Sequence, residues 1–188
     1  VTIDAEFRFQ GGFGLPPVTR SVELQPGAAA SIDDVVGTMF GFDEVAGSLR
    51  LVPREGPAAL CATSRTANHS AWGTYGQYVP ALSSGSGLTG AGTVLHLSKS
   101  ATDRSNVGIV ETSGTGVHLT VRLLDRIGRT LGSPIDLGLG PWESVQLNDI
   151  FAVVGAQGSD TARVAIETTG GPGRFFAYGS VIDDASDD

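Results

Sequence analysis

Cysteine is almost missing from this chain, with Cys61 alone among 188 residues. A single thiol excludes an intrachain disulfide and any metal cluster built on several thiolates. It lies in the apolar run Ala58-Ala59-Leu60-Cys61-Ala62, which predicts a buried structural thiol rather than a reactive one. Lysine is as scarce: Lys99 is the single lysine among 12 basic residues, against 20 acidic ones. The net charge of −8 leaves no basic stripe to displace counterions from a phosphate backbone, so nucleic acid and anionic membrane surfaces are excluded as partners. Long hydrophobic runs are missing too, which excludes a membrane-inserted helix. The chain carries no signal peptide and starts at Val1, which predicts a mature or trimmed product.

What is plentiful is punctuation. The chain has 27 Gly and 9 Pro beside an apolar fraction of 40%, a composition suited to many short strands and turns around a core. No Gly-X-Y period is present, so a collagen-like helix is excluded.

The chain repeats itself. Residues 24–68 align without a gap onto 139–183, at a constant offset of 115 residues. Leu24 meets Leu139, Pro26 meets Pro141, Asp34 meets Asp149, Gly56-Pro57 meets Gly171-Pro172 and Ala62 meets Ala177. With one residue of slippage, Val1, Ile3, Ala5 and Phe7 meet Val117, Leu119, Val121 and Leu123. These last residues alternate with His118, Thr120 and Arg122, the period of a half-buried antiparallel strand. Each copy then reads as a second strand, a short helical turn and two more strands. Asp33 and Asn148 are the expected caps of the helical turns, and Gly41 and Gly155 their stops. The expected fold is all-β: two related antiparallel β-sandwich (immunoglobulin-like) repeats, each with one short helical turn. Their expected extents are residues 1–88 and 89–188, joined through a Ser/Gly-rich hinge near 83–92.

The copies are cut at different points. Candidate strands at Thr93–Leu97 and Asn106–Thr112 precede the second alternating strand, and nothing comparable precedes Val1. The first copy runs on through Gly73-Thr74-Tyr75-Gly76-Gln77-Tyr78-Val79-Pro80-Ala81-Leu82, past the point where the second stops. Repeat 1 is thus expected to lack opening strands and repeat 2 a closing strand. An excerpt of a longer chain, fusion of both halves into one larger sandwich, or a strand supplied by a neighbouring molecule would each account for this.

Four segments carry a family resemblance: Ala62-Thr63-Ser64-Arg65-Thr66, Gly73 to Ala81, Arg104-Ser105-Asn106-Val107-Gly108-Ile109-Val110 and Leu147-Asn148-Asp149-Ile150-Phe151. Together they resemble a tandem repeat of secreted bacterial proteins, found in some members beside enzyme domains. The resemblance implies an extracellular or cell-surface setting and an additional strand pair before the residue matching Val1. It implies no reaction.

Motif chemistry is thin. His69, His96 and His118 lack metal-ligand spacing, and the G-x-S-x-G elbow is missing. Ser84, Ser86 and Ser113 fall in Gly-rich segments expected to be flexible. The tail Asp183-Asp184-Ala185-Ser186-Asp187-Asp188 has hard oxygens without the spacing of a calcium loop, and reads as a solvated tail. The aromatics Trp72, Tyr75 and Tyr78 have no counterpart in the second copy and are the candidate ligand-binding residues, weighed against plain strand packing. Tyr75 and Tyr78 are three apart, so on a strand they face opposite sides.

The expectation is a non-enzymatic extracellular structural or adhesive module that assembles by strand exchange with other protein subunits or within a parent polypeptide. The alternative is a carbohydrate- or peptide-binding accessory module with a glycan as partner, and a hydrolase ranks third. No cofactor or catalytic residue is implied.

Overall fold

In a computed structural model, residues 1–12, 14–56, 59–70 and 73–183 are described. Strand follows strand, in antiparallel sheets with two short helical segments, so the chain is all-β. It divides into two compact units, Val1–Cys61 and Ala62–Asp188.

The first unit holds β1 (Thr2–Phe9), β2 (Val18–Glu23) and β3 (Gly47–Pro53) in the order β2-β1-β3. Alternation along β1 sends Ile3, Ala5 and Phe7 inward, all under 5% exposed. Asp4 and Glu6 point outward, where Arg54 meets Asp4 at 2.8 Å and Arg50 meets Glu6 at 3.0 Å. The core is aromatic: Phe7 packs on Phe9, Phe40 and Phe42 with ring centroids 5.3, 5.4 and 5.9 Å apart. Phe40 comes from a one-turn π-type helix, Val35–Phe40.

The second unit contains the hairpin β4 (Thr63–Ser70) and β5 (Gly73–Pro80), which form a two-stranded sheet. It also contains a sandwich. One layer orders β6 (Ala91–Lys99), β11 (Ser159–Gly170), β8 (Val117–Asp125) and β9 (Thr130–Leu139) as β6-β11-β8-β9. The other orders β10 (Ser144–Leu147), β7 (Asp103–Glu111) and β12 (Phe175–Asp183) as β10-β7-β12. Leu119, Val121, Leu123, Val164 and Ile166 from the first layer meet Val107, Ile109 and Phe175 from the second, and α1 (Ile150–Val154) adds Ile150 and Phe151. At the corner from β6 to β7, Ser105 Oγ donates to Ser98 O at 2.6 Å and accepts from Ser98 N at 2.9 Å.

The internal repeat is written into the strand pairing. Phe7 opposes Leu49 as Leu123 opposes Val164, and Ala5 opposes Leu51 as Val121 opposes Ile166. Val22 sits beside Ile3 as Leu137 sits beside Leu119. Hence β2-β1-β3 repeats β9-β8-β11 in order, and in register except that the β8–β9 pair shifts between Val121 and Leu123 where β1–β2 runs on evenly. The alignment without gaps needs one correction at the helical turns. Six residues separate Asp34 from Gly41 and five separate Asp149 from Gly155, the wider π-type turn taking up the additional residue.

A second correction concerns the caps, which lie one residue later than expected. Asp34 and Asp149 are the capping residues, and Asn148 instead accepts from Gln146 Nε2 at 2.7 Å. The expected hinge is also corrected. Leu88 and Phe175 exchange backbone hydrogen bonds at 2.8 and 3.0 Å, and Thr168 N donates to Gly90 O at 2.7 Å, tying residues 88–90 to the second unit. Glycine permits this approach, since a Cβ at Gly87 would collide with Thr112. Among the described residues, no helix is long and apolar enough to cross a membrane.

Candidate functional site

At one end of the sandwich β7 finishes on Glu111, whose side chain is fully buried. Its carboxylate accepts the backbone N–H groups of Ser113, Gly114 and Trp142, each at 2.8 Å, and the hydroxyl of Ser113. Ser113 Oγ in turn accepts from Arg174 N at 3.2 Å, and the Arg174 guanidinium donates to the carbonyls of Gly85 and Gly87 at 3.3 and 3.2 Å. One carboxylate therefore holds two loops directly, β7–β8 and β9–β10, and two further segments through Ser113 and Arg174.

Burial alone would raise the pKa of Glu111. The Ser113 hydroxyl and the N–H groups of Trp142, Ser113 and Gly114 outweigh it, so the net shift is downward. A carboxylate held that way is a weak base, and its acceptor sites are occupied. The Glu111–Ser113 pair builds the loops rather than activating a nucleophile. Ser113, expected in a flexible loop, is instead fixed by this network. The sequence signal was present in Glu111-Thr112-Ser113-Gly114: an acid closing an apolar strand, followed by turn residues whose N–H groups need an acceptor.

Next to this network is a cleft of about 410 Å³, lined by Thr115, Gly116, Val117, His118, Leu139 and Pro141 among others. His118 is exposed on the outer face of β8, as the alternation predicted. Its neighbours across the sheet are Gly138 on β9 and Gly170 on β11. A Cβ at Gly138 would come within 3.2 Å of His118 Nδ1, so glycine leaves the imidazole room between them.

Two of the expected ligand residues, Tyr75 and Tyr78, fall on β5. Trp72 lies outside the described residues, as do Pro57 of the expected turn and residues 184–188 of the acidic tail. Tyr75 and Tyr78 stand on β5 opposite Asn68 and Arg65, and Tyr78 is 63% exposed. His69 is on β4 opposite Thr74. His96 is exposed at φ 59°, where β6 bulges and two residues, Leu95 and His96, oppose the single Arg163. Cys61 is a further correction: it is exposed, because its apolar run falls in the connection between β3 and β4 rather than on a core strand.

A second site was not foreseen. On the outer face of β10-β7-β12, Gln146, Gly108 and Tyr178 form one row across three strands. The Tyr178 side chain crosses Gly108, where a Cβ would collide with its ring and hydroxyl, and its hydroxyl donates to Gln146 Oε1 at 3.0 Å. Burial pushes the Tyr178 hydroxyl pKa upward. Single-strand reasoning could not find the row, because it forms only when three strands pair.

By fold, the second unit is an antiparallel β-sandwich with a loop end organised on a buried carboxylate. Comparison of the chain with protein-family models, curated proteins and solved structures finds no match.

Proposed function

We propose that this chain is a non-enzymatic structural or adhesive β module of an extracellular assembly, joined to other subunits by strand addition. One observation carries the reading. β3 pairs with β1 in the same register as β11 pairs with β8, but β11 bears β6 on its other side. Among the described residues no strand lies on the outer edge of β3. An open edge presents a row of N–H and C=O groups to any extended segment, and an apolar alternation in that segment would suit the exposed Leu49.

The occupant is a β6-like strand of another subunit. Light scattering coupled to gel filtration, with electron microscopy across a concentration series, tests this. Concentration-dependent oligomers or filaments are expected, and Leu49→Lys, which puts a charge on the edge, shifts them to monomer. A folded, strictly monomeric protein at all concentrations overturns the reading. So does a longer form of the same polypeptide that closes the edge itself and no longer associates.

A further inference from the structure

The outer face of the small sheet is built differently from its other surfaces. Along β12, Phe176 and Tyr178 point the same way, two residues apart, with Phe176 beside Val110 and Tyr178 across Gly108. Tyr178 is 45% exposed, although its hydroxyl is anchored to Gln146. Gln146 Nε2 continues the chain of hydrogen bonds to Asn148 Oδ1 at 2.7 Å, and Asn148 is exposed. The ring is thus laid along the sheet instead of standing off it, with one side on backbone and the other towards solvent. Its orientation is set before any ligand arrives, so little side-chain entropy is left to lose on binding.

The chemistry of this row is specific. A ring face carries the negative lobe of its quadrupole and attracts C–H groups of partial positive charge. The amides beside it offer donors and acceptors together, since each carries two N–H donors and a carbonyl with two lone pairs. The Gln146, Gly108 and Tyr178 row itself holds no charged group. A pyranose has the matching surface: a face of C–H groups with a rim of neutral hydroxyls.

We propose that the Phe176–Tyr178–Gln146–Asn148 face is a binding site for a neutral glycan, the sugar ring lying on Tyr178 and its hydroxyls meeting the two amides. The inference is independent of strand addition at β3, which involves other residues.

Affinity gel electrophoresis of the whole chain in gels containing xylan, mixed-linkage β-glucan, galactomannan or hydroxyethylcellulose supplies the test. At least one of these polysaccharides is expected to retard the protein. Tyr178→Ala should weaken that retardation tenfold or more, whereas Tyr178→Phe, which keeps the ring, should stay within about threefold of the parent. Gln146→Ala, which removes an amide and also frees the Tyr178 hydroxyl, and Asn148→Ala, which removes an amide alone, should each weaken it severalfold, with unchanged thermal melts as the control. Retardation by none of the four polysaccharides overturns the proposal. Retardation that survives both Tyr178→Ala and Gln146→Ala also overturns it, because the sugar then binds elsewhere.

Discussion

Asp34 and Asp149 hold the same unusual backbone conformation, each at φ 48°, and each carboxylate accepts the N–H three residues on. The acceptor distances are 3.1 Å to Gly37 N and 3.3 Å to Ala152 N. Aspartate tolerates the left-handed region better than most residues, and its short side chain then reaches the exposed N–H of the helical turn. The glycine stop is shared as well. Gly155 N donates to Ala152 O and Ala156 N to Phe151 O, a Schellman closure. In the first unit Gly41 N reaches Gly37 O and Phe42 N reaches Val36 O, the same closure widened by one residue.

Replacing either cap removes one hydrogen bond and places a less tolerant residue at positive φ. Asp34→Ala and Asp149→Ala should each cost about 1–2 kcal/mol by chemical denaturation. Asp149→Gly, which relieves the backbone, should cost less than Asp149→Ala. Asp149 also receives Lys99 Nζ at 2.6 Å, so its loss should exceed that of Asp34 and be partly shared by Lys99→Met. Equal losses at Asp34 and Asp149 would show that the lysine adds nothing.

Glu111 should make the second unit sensitive to acid. Its folded pKa lies below the ordinary value of 4.5, so it contributes stability that is fully present above about pH 4.5. That contribution is lost as pH falls through the folded value. Denaturation midpoints should therefore drop below pH 4.5 in the parent protein. Glu111→Gln keeps the shape but cannot accept from all four donors, and should cost about 1–3 kcal/mol at neutral pH. The variant should also flatten the acid limb. A variant with an unchanged pH profile would place the acid sensitivity elsewhere.

Cys61 should react quickly with an aromatic disulfide reagent in the native protein, with one thiol released per chain, because it is exposed. Reaction only after addition of denaturant would mean that the thiol is shielded.

Gly155→Ala tests the stop. The residue sits at φ 71° with open space where a Cβ would go, so the cost comes from backbone conformation alone. A loss of about 1 kcal/mol is expected, with no change in the sandwich core. Calorimetry on the pure variant measures it.

The amino-acid sequence by itself determined the all-β class, most strand positions and the internal repeat. Alternation and turn residues are local signals, and they require no knowledge of what each strand will face. The pattern Val117, Leu119, Val121 and Leu123 announced its buried side without any partner in view, and those residues are under 2% exposed. The glycine stops at Gly41 and Gly155 were legible for the same reason, since positive φ is a property of one residue. The caps were misplaced by a single position, because Asp33-Asp34 and Asn148-Asp149 each offer two capping side chains and only the backbone path chooses between them.

The tertiary structure alone decided the rest. Glu111 became an anchor because loops as distant as Trp142 bring their N–H groups to it. Cys61 became exposed because its apolar run landed between strands. The stretch expected to be a hinge became fixed because Phe175, far along the chain, pairs with Leu88. The Tyr178 row exists only because three separate strands place Gln146, Gly108 and Tyr178 side by side. At Glu111, Leu88 and Tyr178 the deciding contact joins residues distant in sequence, and no local pattern encodes which distant group will be brought within hydrogen-bonding reach.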